Sequence, residues 1–225
     1  MFILAPSLLA SDFSNLESEI KKVYMDGKGC PYLHLDIMDG VFVKNISFGI
    51  PVVASLRKVC DIIFDVHLMI IKPIKYIERF IDAGAEIITF HYEACENIDE
   101  VLKTIETVKN YNKNGKTCKV SVAIKPDTPT DVLLPFLDKL DMVLPMSVEP
   151  GFGGQPFIEK CFDKIAELNK IKAENNYKYL IQVDGGVNFD NAKKLKDLGA
   201  NIIVAGTLVF DSPDVAETIE RFMNV

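Results

Sequence analysis

The chain alternates short, almost wholly apolar runs with longer stretches whose apolar residues recur every three or four positions. The apolar runs fall at FILAP (2–6), YLHLDIM (32–38), DIIFDVHLM (61–69) and EIITFHY (86–92). Four more follow at KVSVAIK (119–125), DMVLPMSV (141–148), YLIQVDG (179–185) and NIIVAG (201–206). A strand with one wet face alternates apolar with polar, whereas one covered on both faces reads as a nearly continuous apolar run, as these do. Between them lie amphipathic segments such as NLESEIKKVYMDG, with Leu16, Ile20 and Val23 at helical spacing. KYIERFIDAGA and NAKKLKDLGA each end in Gly-Ala just before the next run, a signal of helix termination at glycine. Eight such units in 225 residues give about 28 residues apiece, close to the βαβ scale. They predict an α/β fold, a single (β/α)8 TIM barrel over residues 1–225. An open doubly wound sheet, the main competitor, has fewer strands and a G-x-G-x-x-G turn after the first; that turn is absent here. Pro145 fits poorly, because it removes an amide from the sixth strand of a barrel without free edges, and a bulge is the expectation there.

Composition narrows the functional classes. An apolar content of 48% supports a sizeable core. Lys and Arg number 25 against 32 Asp and Glu, a net charge of −7 that argues against a broad grip on nucleic acid. An anionic ligand must therefore be held by local donors. The five cysteines are scattered, with no C-x-x-C pair, which suits a reducing compartment. No run approaches the roughly 18 apolar residues of a membrane span, and the opening lacks a basic region. The expectation is a soluble cytoplasmic protein with neither a membrane nor a nucleic-acid partner.

In a barrel the functional groups gather where strands end, at the C-terminal face. His34 and Asp36 lie two apart on the second run and share a face. His67 ends the third run and Asp184 the seventh. Two imidazoles and two carboxylates make a plausible set for zinc, iron, manganese or cobalt with positions left open, or else a satisfied buried polar network. Asp65 shares the face of His67 and either orients it or is a structural carboxylate. His91 reads as a hydrogen-bonded core residue or a neighbour of the ligands. Met38, Met69 and Met146 end three different strands, as core filler or as a polarizable apolar lid over the site.

Glycine-rich loops follow the last three runs: EPGFGGQPF (149–157), VDGGVN (183–188) and VAGTLVF (204–210). Glycine lets the backbone approach a ligand, and consecutive amides can cradle a phosphate without a basic patch. The three arginines, Arg57, Arg79 and Arg221, stand outside these motifs. Barrels often place a phosphate at the loops after strands seven and eight. Lys125 ends the fifth run, either as a Schiff-base lysine or as a solvated one before a proline turn. Lys44, in DGVFVKNISFG, either lies on a mobile loop over the mouth or is simply exposed; the segment has the length and apolar content of a lid.

Taken in order, APSLLASDF, HLDIMDGVFVKNISFG, DVHLMI, MSVEPGFGGQPF and VDGGVN resemble the signature blocks of the ribulose-phosphate 3-epimerase family, from Pro6 to about Phe210. The resemblance implies His34, Asp36, His67 and Asp184 as ligands of one divalent ion, with Asp36 and Asp184 as the acid–base pair. It implies substrate contacts at Ser7 and His67, and at Gly151, Phe152, Gly153 and Gly154. The same holds for Asp184, Gly185, Gly186, Gly206 and Thr207. It also implies a sugar-phosphate substrate and a homo-oligomer, a dimer or larger. SLLASDF departs from the family's commoner Ile-Leu-Ser-Ala-Asp-Phe order, Thr207 replaces a serine, and Pro145 replaces a β-branched residue. The ligands and the acid–base pair are all retained.

For D-ribulose 5-phosphate, inversion at C3 needs a proton to leave one face and another to arrive on the opposite face, so two acids are the economical arrangement. Asp36 is expected to take the proton and Asp184 to return one, from opposite protonation states, through a 2,3-enediolate whose charge a cation stabilises. The rivals are a C3 epimerase of a six-carbon ketose phosphate such as allulose 6-phosphate, a Schiff-base aldolase using Lys125, and a non-catalytic sugar-phosphate binder.

Overall fold

The computed structural model describes residues 2–25, 29–113 and 115–225; Asp26 and Gly27 of the first amphipathic stretch lie outside them. Each apolar run contains a strand: β1 (Ile3–Pro6), β2 (Tyr32–Met38), β3 (Ile63–Met69), β4 (Ile87–His91), β5 (Lys119–Ile124), β6 (Met142–Pro145), β7 (Leu180–Asp184) and β8 (Ile202–Ala205). Neighbours pair in parallel in the order β1-β8-β7-β6-β5-β4-β3-β2. A parallel bridge between Ser7 and His34 joins the ends of that order and closes the barrel.

Parallel neighbours need a crossover, and here helices supply most of them. They are α1 (Leu16–Tyr24), α2 (Ile50–Leu56), α3 (Ile77–Ala83), α4 (Ile98–Lys109), α5 (Cys161–Glu174), α6 (Phe189–Asp197), α7 (Thr207–Phe210) and α8 (Val215–Met223). Both Gly-Ala signals mark helix ends, with Gly84 and Gly199 at φ +118° and +108°. The β5–β6 crossover differs, running through 3-10 turns at Thr130–Leu133 and Leu137–Lys139. Pro135 would sit inside any helix spanning those turns, without an N–H and in collision with the preceding turn. The turns still bury Leu133, Phe136 and Leu137 on the barrel.

The core has two parts. A large shell lies between strands and helices, from Leu4, Leu33 and Phe64 to Ile181 and Ile203. Inside the barrel, Ile3, Ala5, Tyr32, Ile87, Met142, Ile202 and Val204 form a separate cluster. Above that plug the inward positions turn polar, and the site begins there. No helix among the described residues is long and apolar enough to cross a membrane.

Pro145 does not sit at a bulge. Val143 pairs with Ile181, and the β6–β7 register resumes unshifted at the Met146–Asp184 bridge. The Met146 N–H donates to Ile124 O on β5, while the Ser147 N–H donates to Asp184 O on β7. By that alternation the missing amide of Pro145 faces β7, where the ladder is interrupted without an inserted residue.

Candidate active site

β2 and β3 lie in register, with His34 beside Asp65 and Asp36 beside His67. Strand alternation turns all four side chains inward, and Asp184 at the end of β7 faces them across β1 and β8. One atom each from His34, Asp36, His67 and Asp184 fall within 4.8 Å of one another. His34 Nε2 is 3.2 Å from His67 Nδ1, 3.3 Å from Asp36 Oδ1 and 3.9 Å from Asp184 Oδ2. His67 Nδ1 is 3.2 Å from Asp36 Oδ1 and 3.6 Å from Asp184 Oδ2.

The remaining atoms of His34, Asp36 and His67 are held from outside. His34 Nδ1 lies 2.8 Å from Asp65 Oδ2, which also accepts from Gln182 Nε2 at 2.5 Å. Ser7 Oγ donates to Asp36 Oδ2 at 2.6 Å. His67 Nε2 is 2.9 Å from His91 Nε2, and His91 Nδ1 is 3.3 Å from Glu93 Oε2. Two imidazole nitrogens and two carboxylate oxygens thus converge, three of the four groups with their far sides engaged, the chemistry of a first-row divalent site with supported ligands. The residues fit such an ion.

Charge is unevenly shared. Burial alone would lower the His34 imidazole, but the carboxylates of Asp36 and Asp65 raise it well above its usual range. Asp36 is buried too, yet the charge and hydrogen bond of His34, with the hydrogen bond of His67, hold it far below the usual carboxylate range. Burial and the nearby Asp36 charge push Asp184 up to about 7. Burial keeps His67 below its ordinary value and brings His91 down to about 4. The two carboxylates of one site therefore differ in proton affinity, Asp184 holding a proton more readily than Asp36.

Above this cluster opens a cavity of about 710 Å³. Its walls include Ser7, Asp36 and Asp184 with the expected methionines, Met38, Met69 and Met146. The methionines are buried in the wall of the cavity. The loop residues Gly151, Phe152, Gly153 and Gly154 line it, as do Gly185, Gly186, Gly206 and Thr207. The glycines differ in purpose. A Cβ on Gly185 would meet Val148 Cγ2 at 2.3 Å and one on Gly186 would meet Phe157 N at 2.4 Å, whereas Gly153 and Gly154 face open space. Gln155 Nε2 spans the β6 loop, donating to Glu149 O at 2.7 Å and Phe152 O at 2.8 Å.

Three further residues of the sequence-based reading are placed as follows. His67 is fully buried beneath the cavity, with both nitrogens engaged by protein groups. The segment carrying Lys44 is tied down: Asp39 accepts from the amides of Val41, Phe42 and Ile71, and Asn45 Nδ2 donates to Gly151 O at 3.0 Å. Lys125 turns its ammonium to the Phe42 ring, 4.4 Å from the centroid, and does not line the cavity. Glu93 and Gln182 were not singled out in the sequence. Gln182 is a polar residue two before Asp184 in an apolar run, which alternation could have flagged. Glu93 carries no such signal, because it follows β4 on a 3-10 turn at Tyr92–Ala94 whose direction only packing sets.

Residues 3–210 match the ribulose-phosphate 3 epimerase family. A ribulose-phosphate 3-epimerase of Schizosaccharomyces pombe is 42% identical over 224 residues, 98% of this chain and 92% of that protein. One from Bacillus subtilis is 42% identical over 222 residues, 98% of each. Among solved structures, KGPDC from Streptococcus mutans superposes with a TM-score of 0.68 at 16% identity, over 100% of this chain and 96% of that one. That likeness is one of fold.

Proposed function

The chain belongs to the ribulose-phosphate 3-epimerase family, and from that premise we propose that Asp36 and Asp184 invert C3 of D-ribulose 5-phosphate to give D-xylulose 5-phosphate. The observation that carries this reading is the pair of carboxylates facing one cavity in unequal surroundings, Asp36 held by Ser7 and the two imidazoles and Asp184 with its proton affinity raised. Asp36, ionised and held by Ser7, removes the C3 proton, and the electron pair passes onto the C2 carbonyl oxygen as an enediolate. Asp184, protonated, delivers its proton to the opposite face of C3. The reverse reaction exchanges the roles.

His34, Asp36, His67 and Asp184 would hold a divalent cation, which supplies Lewis-acid stabilisation of negative charge on the substrate oxygens. The phosphate fits the amides of Gly185 and Gly186 and those opening α7 at Gly206 and Thr207, since helix starts present unpaired N–H groups. Met38, Met69 and Met146 would pack on the apolar face of the bound sugar and exclude water. Family membership also supports a cytoplasmic homo-oligomer, a dimer or larger, which light scattering on purified protein checks.

The test is incubation with D-ribulose 5-phosphate in heavy water, followed by NMR. Xylulose 5-phosphate with deuterium at C3 is the expected product. Folded, metal-loaded protein that gives neither product nor exchange would overturn the proposal and direct attention to six-carbon ketose phosphates.

A further inference from the structure

His34 and His67 face the same centre, but their outer nitrogens are fixed in different ways. His34 meets a carboxylate directly, Asp65 at 2.8 Å. His67 meets another imidazole, with 2.9 Å between its Nε2 and that of His91. Both rings are fully buried. Two neutral imidazoles at this distance share one proton, so one nitrogen donates and the other accepts. The pair alone does not determine which.

Glu93 breaks the symmetry. Its Oε1 accepts the Lys125 main-chain N–H at 2.7 Å and the Thr128 hydroxyl. Its Oε2 faces His91 Nδ1 at 3.3 Å. A carboxylate only accepts, so Glu93 favours the His91 proton on Nδ1, with His91 Nε2 bare. Two carboxylates compete along this chain: Asp36 Oδ1, 3.2 Å from His67 Nδ1, favours a proton there, whereas Glu93 favours donation from His67 Nε2, which turns the Nδ1 lone pair toward Asp36, Asp184 and His34, the arrangement a cation between them requires. Phe42 covers the relay, its ring centroid 4.8 Å from that of His91.

We propose that Glu93, acting through His91, sets the tautomer of His67 and so presents its Nδ1 lone pair to the cation. Glu93 and His91 are positioning residues, since neither lines the cavity. The proposal rests on the reading of the four-residue cluster as a metal site.

The carboxylate's two donors make a sharp test available. In Glu93→Gln the amide oxygen must still face the Lys125 N–H and the Thr128 hydroxyl, so the NH2 group turns to His91. His91 is driven to the Nε2–H tautomer, and His67 receives that bond and carries its own proton on Nδ1, in the metal position. Binding a cation then forces one donor against another along the chain. Glu93→Ala removes the director without reversing it, although it abandons more packing. A merely structural role ranks the two variants the other way.

The experiment uses zinc, which is diamagnetic. Long-range 1H–15N NMR on zinc-loaded wild-type protein is expected to show His91 protonated on Nδ1 and bare on Nε2. Chelator competition is expected to find zinc affinity about 10- to 100-fold weaker in Glu93→Gln, with Glu93→Ala between it and wild type. His91 protonated on Nε2 in the wild type overturns the proposal even if neither variant folds. Zinc affinity in Glu93→Gln within about threefold of wild type, or weaker binding by Glu93→Ala than by Glu93→Gln, overturns it while leaving the metal site standing. A wild-type protein that binds no zinc overturns both.

Discussion

Asp36 and Asp184 are chemically identical and separately tuned. Asp36 takes the charge and hydrogen bond of His34 together with the Ser7 hydroxyl, whereas Asp184 has burial and the Asp36 charge against it. Replacing either by Asn is expected to lower kcat by 10²- to 10⁴-fold or more, about the worth of a positioned acid or base, with substrate still bound; a coupled assay of xylulose 5-phosphate formation checks this. Ser7→Ala removes one hydrogen bond to a charged group, so kcat in the same assay should fall about tenfold. Glu93 links residue chemistry to stability. Burial would raise it, but His91 and Thr128 hold it at about 2 against an ordinary 4.5. The unfolded chain therefore binds the extra proton between those values, so the stabilisation is complete above about pH 4.5 and is lost as pH falls through about 2. Urea unfolding of metal-free wild type and Glu93→Gln should show a stability gap that narrows below pH 4.5; a gap independent of pH would contradict this account.

Among the elements, the loop after β7 is built by close approach. Gly186, at φ +63°, lies against the backbone of Phe157, and Gly185, at φ +109°, lies against Val148. Gly186→Ala must shift the main chain of the β6 loop, so it should raise KM for the sugar phosphate by about tenfold or more and destabilise by about 1–3 kcal/mol, read by steady-state kinetics and urea midpoints. The strands were legible because burial on both faces leaves an apolar run that few helices imitate at that length. The irregular β5–β6 crossover is marked in the sequence only by Pro129 and Pro135. At Pro145 the expected bulge is absent. An uninterrupted apolar run shows that a strand passes there, but not that its amide faces β7 in an unshifted register.

At the scale of the whole molecule, closure of the barrel brings together residues from both ends of the chain, Ser7, Asp36 and Asp184. A cation bound only by the folded form stabilises it by mass action, about 2.7 kcal/mol at one hundred times its Kd. Chelation should therefore lower the Tm by several degrees and abolish turnover together, with both restored by added zinc or manganese; calorimetry paired with the epimerase assay checks this. The amino-acid sequence alone determined the eight units, the parallel barrel, the four candidate ligands and the glycine loops. Those depend on periodicity within a segment and on the identity of residues at strand ends. Tertiary structure decided which atoms of those residues face the centre, why the two aspartates differ in proton affinity, and that Glu93 sits behind His91. These depend on distances between strands remote in sequence and on the dielectric they enclose, and no local pattern encodes either.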